Sequence, residues 1–142
     1  MEIISPSTEL EWKQYYQLRF DVLREPWGQL PGSEILTDED SAIHAMLMDD
    51  GITLGVARMH LSDESQGQIR CVAVAQNQQG KGIGKKLMNF LEDKAKEKGW
   101  KEIILEAREN AVPFYKSIGY EIVKESYLLF GKIQHYTMQK KW

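Results

Sequence analysis

The chain has 142 residues, 42% of them hydrophobic and 27% charged, which suits one soluble domain spanning 1–142 around a single core. A formal net charge of −3 argues against a general nucleic-acid binder, and no apolar run approaches the ~20 residues of a membrane span. A single cysteine excludes an internal disulfide and offers no metal-binding cysteine pair, so no metal is expected. Met1-Glu2-Ile3-Ile4-Ser5 lacks the basic and apolar regions of a signal peptide, which makes a cytoplasmic location the expectation.

Ser7-Thr8-Glu9-Leu10-Glu11 reads as a helix start, with Ser7 or Thr8 as cap and acids in the first turn. Trp12, Tyr15, Tyr16, Arg19, Phe20 and Leu23 follow on that helix. Pro26, Gly28, Pro31 and Gly32 then break regular structure. Trp27, Leu30 and Ile35 in this stretch either line a pocket or cover the core. Residues 42–48 and 52–61 are strands around the hairpin turn Asp49-Asp50-Gly51. A third strand covers 68–74. A helix then carries Ile83, Leu87, Phe90, Leu91 and Ala95 as its apolar stripe and closes at Gly99. Residues 102–107 form a strand and 110–119 a short helix, with Pro113 in its first turn and Gly119 at its end. Two more strands, 120–125 and 133–138, complete the chain. Strand, helix and strand over 68–107 make a βαβ unit, whose strands run parallel, whereas the preceding hairpins are antiparallel. The predicted fold is therefore α/β (α+β): a mixed central sheet flanked by helices.

The segment from Val72 to Leu87 carries the chemistry. It reads as strand, polar turn, glycine-rich loop and helix start, with Gly80, Gly82 and Gly84 where the helix begins. Glycine allows positive φ and close approach of a ligand to the main chain. The free N–H groups and dipole of a helix start favour an anion, commonly a phosphate. Lys81, Lys85 and Lys86 add positive charge at the same end. A P-loop requires glycine where Gln79 stands and Ser or Thr where Lys86 stands; the dinucleotide fingerprint fails at Lys85 or at Leu87. What remains is Gln79-x-x-Gly82-x-Gly84 after a strand ending Val72-Ala73-Val74. The plain alternative is a Gly/Lys-rich surface turn.

That pattern resembles the pyrophosphate loop of the GNAT acyltransferases, whose ligand is acyl-coenzyme A. The order of elements agrees from about Gln68 to Trp142, including Asn110 and Phe114-Tyr115-Lys116-Ser117-Ile118-Gly119-Tyr120. The tail Gly131-Lys132-Ile133-Gln134-His135 is similar to the ElaA/YjcF-like branch. The resemblance implies a GNAT-like acyl-CoA N-acyltransferase fold with acetyl-CoA as cosubstrate. It implies that backbone groups of Val72, Ala73 and Val74 pair with the pantetheine arm. It further implies that N–H groups of Gln79, Gly80, Lys81, Gly82, Ile83, Gly84 and Lys85 hold the pyrophosphate, that Asn110 touches the pantetheine, and that Tyr115 sits near the thioester sulfur.

Acyl transfer to an amine needs a neutral nucleophile, a polarised carbonyl and a stabilised leaving thiolate. An N–H at the strand end near Val72 to Val74 suits the carbonyl. Tyrosine, with a reference pKa of about 10, is a weaker acid than a thiol near about 8.5, so full proton transfer is uphill by roughly 2 kcal/mol. Hydrogen bonding from Tyr115 to the thiolate fits better; a purely packing tyrosine is the alternative. The strand Gln68 to Val74 offers no carboxylate as base. His44, Glu106, Glu125 and His135 are the candidates, and the branch resemblance points to His135. Cys71 offers a covalent route or is a small core residue. Arg70 meets an acidic substrate or is a solvated strand residue. The resulting expectation is an N-acetyltransferase that acts by direct attack in a ternary complex. Its acceptor is a small-molecule or peptide amine, neither nucleic acid nor membrane is a partner, and homodimerisation is left open. The rival is a noncatalytic acyl-CoA-binding or sensor module; a nucleotide-binding regulator fits the loop spacing less well.

Overall fold

In the computed structural model, which describes residues 1–142, seven strands form one mixed sheet. They are β1 (Glu2–Ile4), β2 (Ile43–Asp49), β3 (Ile52–Asp63), β4 (Gln66–Val74), β5 (Glu102–Arg108), β6 (Glu121–Leu129) and β7 (Ile133–Lys141), in spatial order β1-β2-β3-β4-β5-β7-β6. Only β4 and β5 pair in parallel, as the βαβ reading requires. Helix α1 (Glu9–Leu23) packs over β3 and β4, while α2 (Ile83–Glu97) covers β2, β3 and β4. A short α3 (Val112–Ser117) follows β5.

Local chemistry explains most element boundaries. Thr8 caps α1 through a capping box: the Glu11 N–H donates to Thr8 Oγ1, and the Thr8 N–H donates back to Glu11 Oε1. Asp50 and Gly51 both take positive φ in the β2–β3 turn, the backbone that an Asp-Gly pair favours. Gly99, at φ 78°, ends α2 with its N–H on the Lys96 carbonyl.

Several boundaries differ from the sequence reading. Strand β1 is too short to carry a periodic signal. Asn110 belongs to a 3-10 turn, Glu109–Ala111, so α3 begins at Val112 rather than at residue 110. Strands β6 and β7 run three or four residues longer than expected and meet at a turn in which Phe130 and Gly131 both have positive φ. On α2 the buried face is Ile83, Leu87, Met88, Leu91, Glu92 and Ala95, with Phe90 only half-buried at its margin. Glu92 is tolerated inside because Tyr120 Oη donates to it at 3.0 Å and Lys140 Nζ at 2.9 Å.

The core lies on both faces of the sheet. Ala45, Leu47, Met59, Ile69 and Ile103 meet α2 in the larger cluster; Met46, Val56 and Ala73 meet Tyr15 and Leu23 of α1 in the smaller. Ile69 and Ala73 would share a face in a regular strand. They do not, because Cys71 and Val72 together oppose the single Ala57. This bulge, with Cys71 at φ 57°, turns the end of β4 over. Tyr15 Oη lies 3.1 Å from the Ala57 carbonyl at the same place.

The segment between α1 and β2 has two 3-10 turns but no α-helix, and charge holds it down. Arg19 donates to the Glu34 carbonyl and to Glu39, while Arg58 reaches Glu39 and chelates Asp38 at 2.8 and 2.9 Å. Both arginines are fully buried. Hydrogen bonding from Arg58 pulls Asp38 down to about 2. Leu30 and Ile35 are exposed and belong to neither core cluster, which corrects the reading that they cover the core; Trp27 is half-buried beneath the Arg108 guanidinium at 5.9 Å.

Candidate active site

The parallel pairing of β4 with β5 stops early. Gln66 to Ile69 pair with Glu102 to Leu105, and beyond them the strands part. A cleft of about 370 Å³ opens in the splay, within the range of small-molecule sites. The bulged Cys71 and Val72 form one wall, and Glu106 to Arg108 of β5 form the other. The bulge takes the β4 backbone out of the ladder to β3, and the splay takes it out of the ladder to β5. Main-chain groups near Val72 are thereby left for a ligand.

Tyr115 and His135 both reach this cleft. Proline in the first turn of α3 and Gly119 beyond its end fix that helix, so the Tyr115 ring packs edge-on against Phe114 and Tyr120 at centroid separations of 5.0 and 5.9 Å. Burial pushes the Tyr115 hydroxyl well above the usual tyrosine range, with Arg108 opposing. It is a hydrogen-bond donor at every physiological pH.

His135 sits on β7 opposite Arg108, buried, with its ring stacked on Tyr127 at 4.6 Å. Its Nδ1 lies 2.9 Å from the Ile133 carbonyl. A carbonyl only accepts, so Nδ1 carries the hydrogen and Nε2 keeps its lone pair. Burial lowers the His135 pKa below the ordinary value of 6.5, and Arg108 lowers it further against the Ile133 hydrogen bond. The imidazole is neutral at pH 7 and able to accept a proton.

The other proposed bases separate cleanly. Glu106 lines the cleft, where both its oxygens lie within 3.0 Å of Thr137 Oγ1. His44 does not line it: its Nε2 faces the Glu39 carbonyl and its Nδ1 faces Tyr15 Oη, each at 2.7 Å, within the buried network under α1. Glu125 is exposed on β6 and also stands apart from the cleft.

The glycine loop lies next to the cleft rather than in it. Gly80 and Gly82 both have φ 80°, and Gly82 is the N-cap of α2 with no side chain capping the helix. Successive main-chain N–H groups in this geometry, at an uncapped helix start, form an anion-binding concavity. Gln79, Lys81 and Lys85 are exposed around it. Ile83 can offer only its backbone, because its side chain is core. Gly84 faces Phe114, and a Cβ there would approach the ring to 3.1 Å. Val72 lines the cleft, Ala73 is buried toward α1, and Val74 pairs with Gly55. Asn110 is exposed on the turn after β5, outside the residues that line the cleft.

The residues from Gly28 to Trp142 match the family model for the acetyltransferase (GNAT) domain. The chain belongs to the GNAT acetyltransferase family. It is an acyltransferase by membership. The uncharacterized N-acetyltransferase YjcF of Bacillus subtilis (strain 168) is 28% identical to it over 140 residues, covering 99% of each chain. Among solved structures, aminoglycoside 6′-N-acetyltransferase complexed with coenzyme A shares the fold at a TM-score of 0.85 and 17% identity, over 99% of this chain and 97% of that one. Escherichia coli ElaA shares it at a TM-score of 0.76 and 22% identity, with the same coverage. The GNAT fold and the likeness to ElaA and YjcF agree with the resemblance drawn from the loop and tail. Sequence reasoning missed Arg24, Arg108 and Tyr127 as cleft residues. They come from the end of α1, the end of β5 and the last third of β6, and no local motif joins them.

Proposed function

We propose that the protein transfers the acetyl group of acetyl-CoA directly to a primary amine in a ternary complex, within one domain spanning 1–142. The observation that carries this reading is the splay between β4 and β5, which brings Tyr115 and His135 into one cleft beside the uncapped start of α2. In this reading, N–H groups of Gln79 to Lys85 hold the pyrophosphate. Backbone groups of Val72 to Val74 pair with the pantetheine, Asn110 meets that arm at the mouth, and a main-chain N–H near the bulge polarises the thioester carbonyl. His135 Nε2 takes the proton that leaves the amine, and the Tyr115 hydroxyl donates a hydrogen bond to the departing thiolate. Its raised pKa favours donation over full proton transfer. A cytoplasmic location fits the reducing conditions that a cleft cysteine and a thiol product require.

Thiol release from acetyl-CoA across a panel of primary amines tests the reading, together with the intact mass of the protein after incubation with acetyl-CoA alone. The expected result is amine-dependent release with no acetyl adduct on the protein. A stable or turning-over adduct on Cys71 contradicts direct transfer. Binding of CoA without release for any amine favours the sensor module.

A further inference from the structure

The chain has five arginines. Two of them, Arg19 and Arg58, are buried and matched by Glu39 and Asp38. The other three, Arg24, Arg70 and Arg108, form none of the protein's ion pairs, yet all three line the same cleft. Glu106 is the only carboxylate among the lining residues, and it faces the Thr137 hydroxyl. The cleft is therefore a positive site in a chain whose net charge is −3.

The geometry holds these charges together. Arg24 Nη1 and Arg108 Nη2 donate to the same acceptor, the Leu23 carbonyl, at 3.2 and 3.3 Å. Two guanidinium groups thus converge on one oxygen. Burial weakens the charged form of Arg108, and the nearby Arg24 weakens it further. Arg70 approaches the same cleft from β4. Like charges crowded into a half-buried cleft are costly unless something negative completes them. The pyrophosphate loop is a separate feature, since none of Gln79 to Lys85 lines the cleft.

We infer that the acceptor is a small amine that also bears a carboxylate, an amino-acid-like zwitterion, with Arg108, Arg24 and Arg70 holding the carboxylate while the amine faces His135 and Glu106. Arginine forks match a carboxylate with two parallel hydrogen bonds, which orients it as well as attracting it. A cleft of about 370 Å³ shared with an acyl group has room for a molecule of that size. Polyamines and aminoglycosides carry the wrong charge for it. This inference rests on the acetyltransferase reading and names the substrate class of the same cleft.

The test compares α- and ω-amino acids with their own amides, and with spermidine and kanamycin, by thiol release from acetyl-CoA. Thermal shift of the CoA-saturated protein by each compound supplies a second readout. The expected result is a kcat/KM at least tenfold higher for carboxylates than for their amides. Arg108→Gln should cut turnover of carboxylates by about 10- to 100-fold and that of amides far less, with CoA affinity unchanged. Arg70→Gln, at an exposed position that folding does not need, should shift the preference the same way by a smaller factor. Preference for amides, spermidine or kanamycin overturns the inference while leaving the acetyltransferase reading intact. Loss of CoA affinity in the arginine variants, with carboxylate preference unchanged, assigns these residues to the cofactor and also overturns it. Where no compound is turned over, carboxylates must still stabilise the CoA complex more than their amides do; equal shifts overturn it. A protein that CoA does not stabilise fails at the earlier step, the acetyltransferase reading itself.

Discussion

Tyr115 presents a hydroxyl at the cleft while its ring is fixed by Phe114 and Tyr120. Tyr115→Phe removes the hydroxyl and keeps the packing. In the proposed mechanism it lowers kcat by roughly 10- to 1,000-fold, the span of positioned donors. CoA affinity stays near wild type, because the thiolate exists only as the reaction proceeds. Steady-state kinetics on any accepted amine decide this, and an unchanged kcat removes Tyr115 from the chemistry. His135 makes a pH-dependent prediction. Burial lowers its pKa, so the imidazole stays neutral, and competent, below the ordinary 6.5. The acid limb of the kcat/KM profile, which reports the free enzyme, should therefore fall with a midpoint below 6.5. Activity is present above that midpoint and lost as pH drops through it. His135→Gln should lower kcat and abolish the limb. A limb unchanged in that variant passes the base role to Glu106. Both were singled out in the sequence, Tyr115 from its place after the loop and Asn110, His135 from the tail, and both reach the cleft. Arg24 and Arg108 were not, because being unpaired is a property of three-dimensional surroundings.

At the scale of elements, the decisive irregularity is the bulge in β4. Little in Gln68-Ile69-Arg70-Cys71-Val72 signals it: there is no Gly or Pro, and only the consecutive apolar Cys71 and Val72 interrupt the alternation. A residue carrying a side chain is held at φ 57°, so the tertiary fold overrides local preference here. Cys71→Val puts a β-branched side chain into that conformation and should cost about 1–3 kcal/mol of stability, whereas Cys71→Gly should be close to neutral. Denaturant unfolding measures both. Equal stability of the Val and Gly variants would show that the bulge imposes no strain. The α2 loop was far more legible, since glycines at positive φ leave a direct mark in the sequence. The ends of β6 and β7 were less so, because Phe130 occupies a left-handed turn position that usually takes Asn or Gly.

For the whole molecule, the mixed sheet and its parallel β4–β5 pair followed from the order of strand and helix signals. The splay did not, because it depends on where pairing stops, and β5 carries regular alternation throughout. The buried network of Arg19, Glu39 and Arg58 was equally hidden: charged residues in a sequence read as surface until their partners are located. The central claim is that the start of α2, beside the cleft, holds the phosphates of an acyl-CoA. Thermal unfolding with and without CoA tests it most directly, using wild type, Gly82→Asn and Gly82→Asp. Both side chains tolerate the left-handed φ at Gly82, where a Cβ meets nothing within 4 Å, so the pair differs mainly in charge. At a CoA concentration about 100 times Kd, stabilisation of about 2.7 kcal/mol is expected for wild type. Gly82→Asn should keep most of that shift and Gly82→Asp should lose it; an equal CoA shift in Gly82→Asp and wild type would contradict the account.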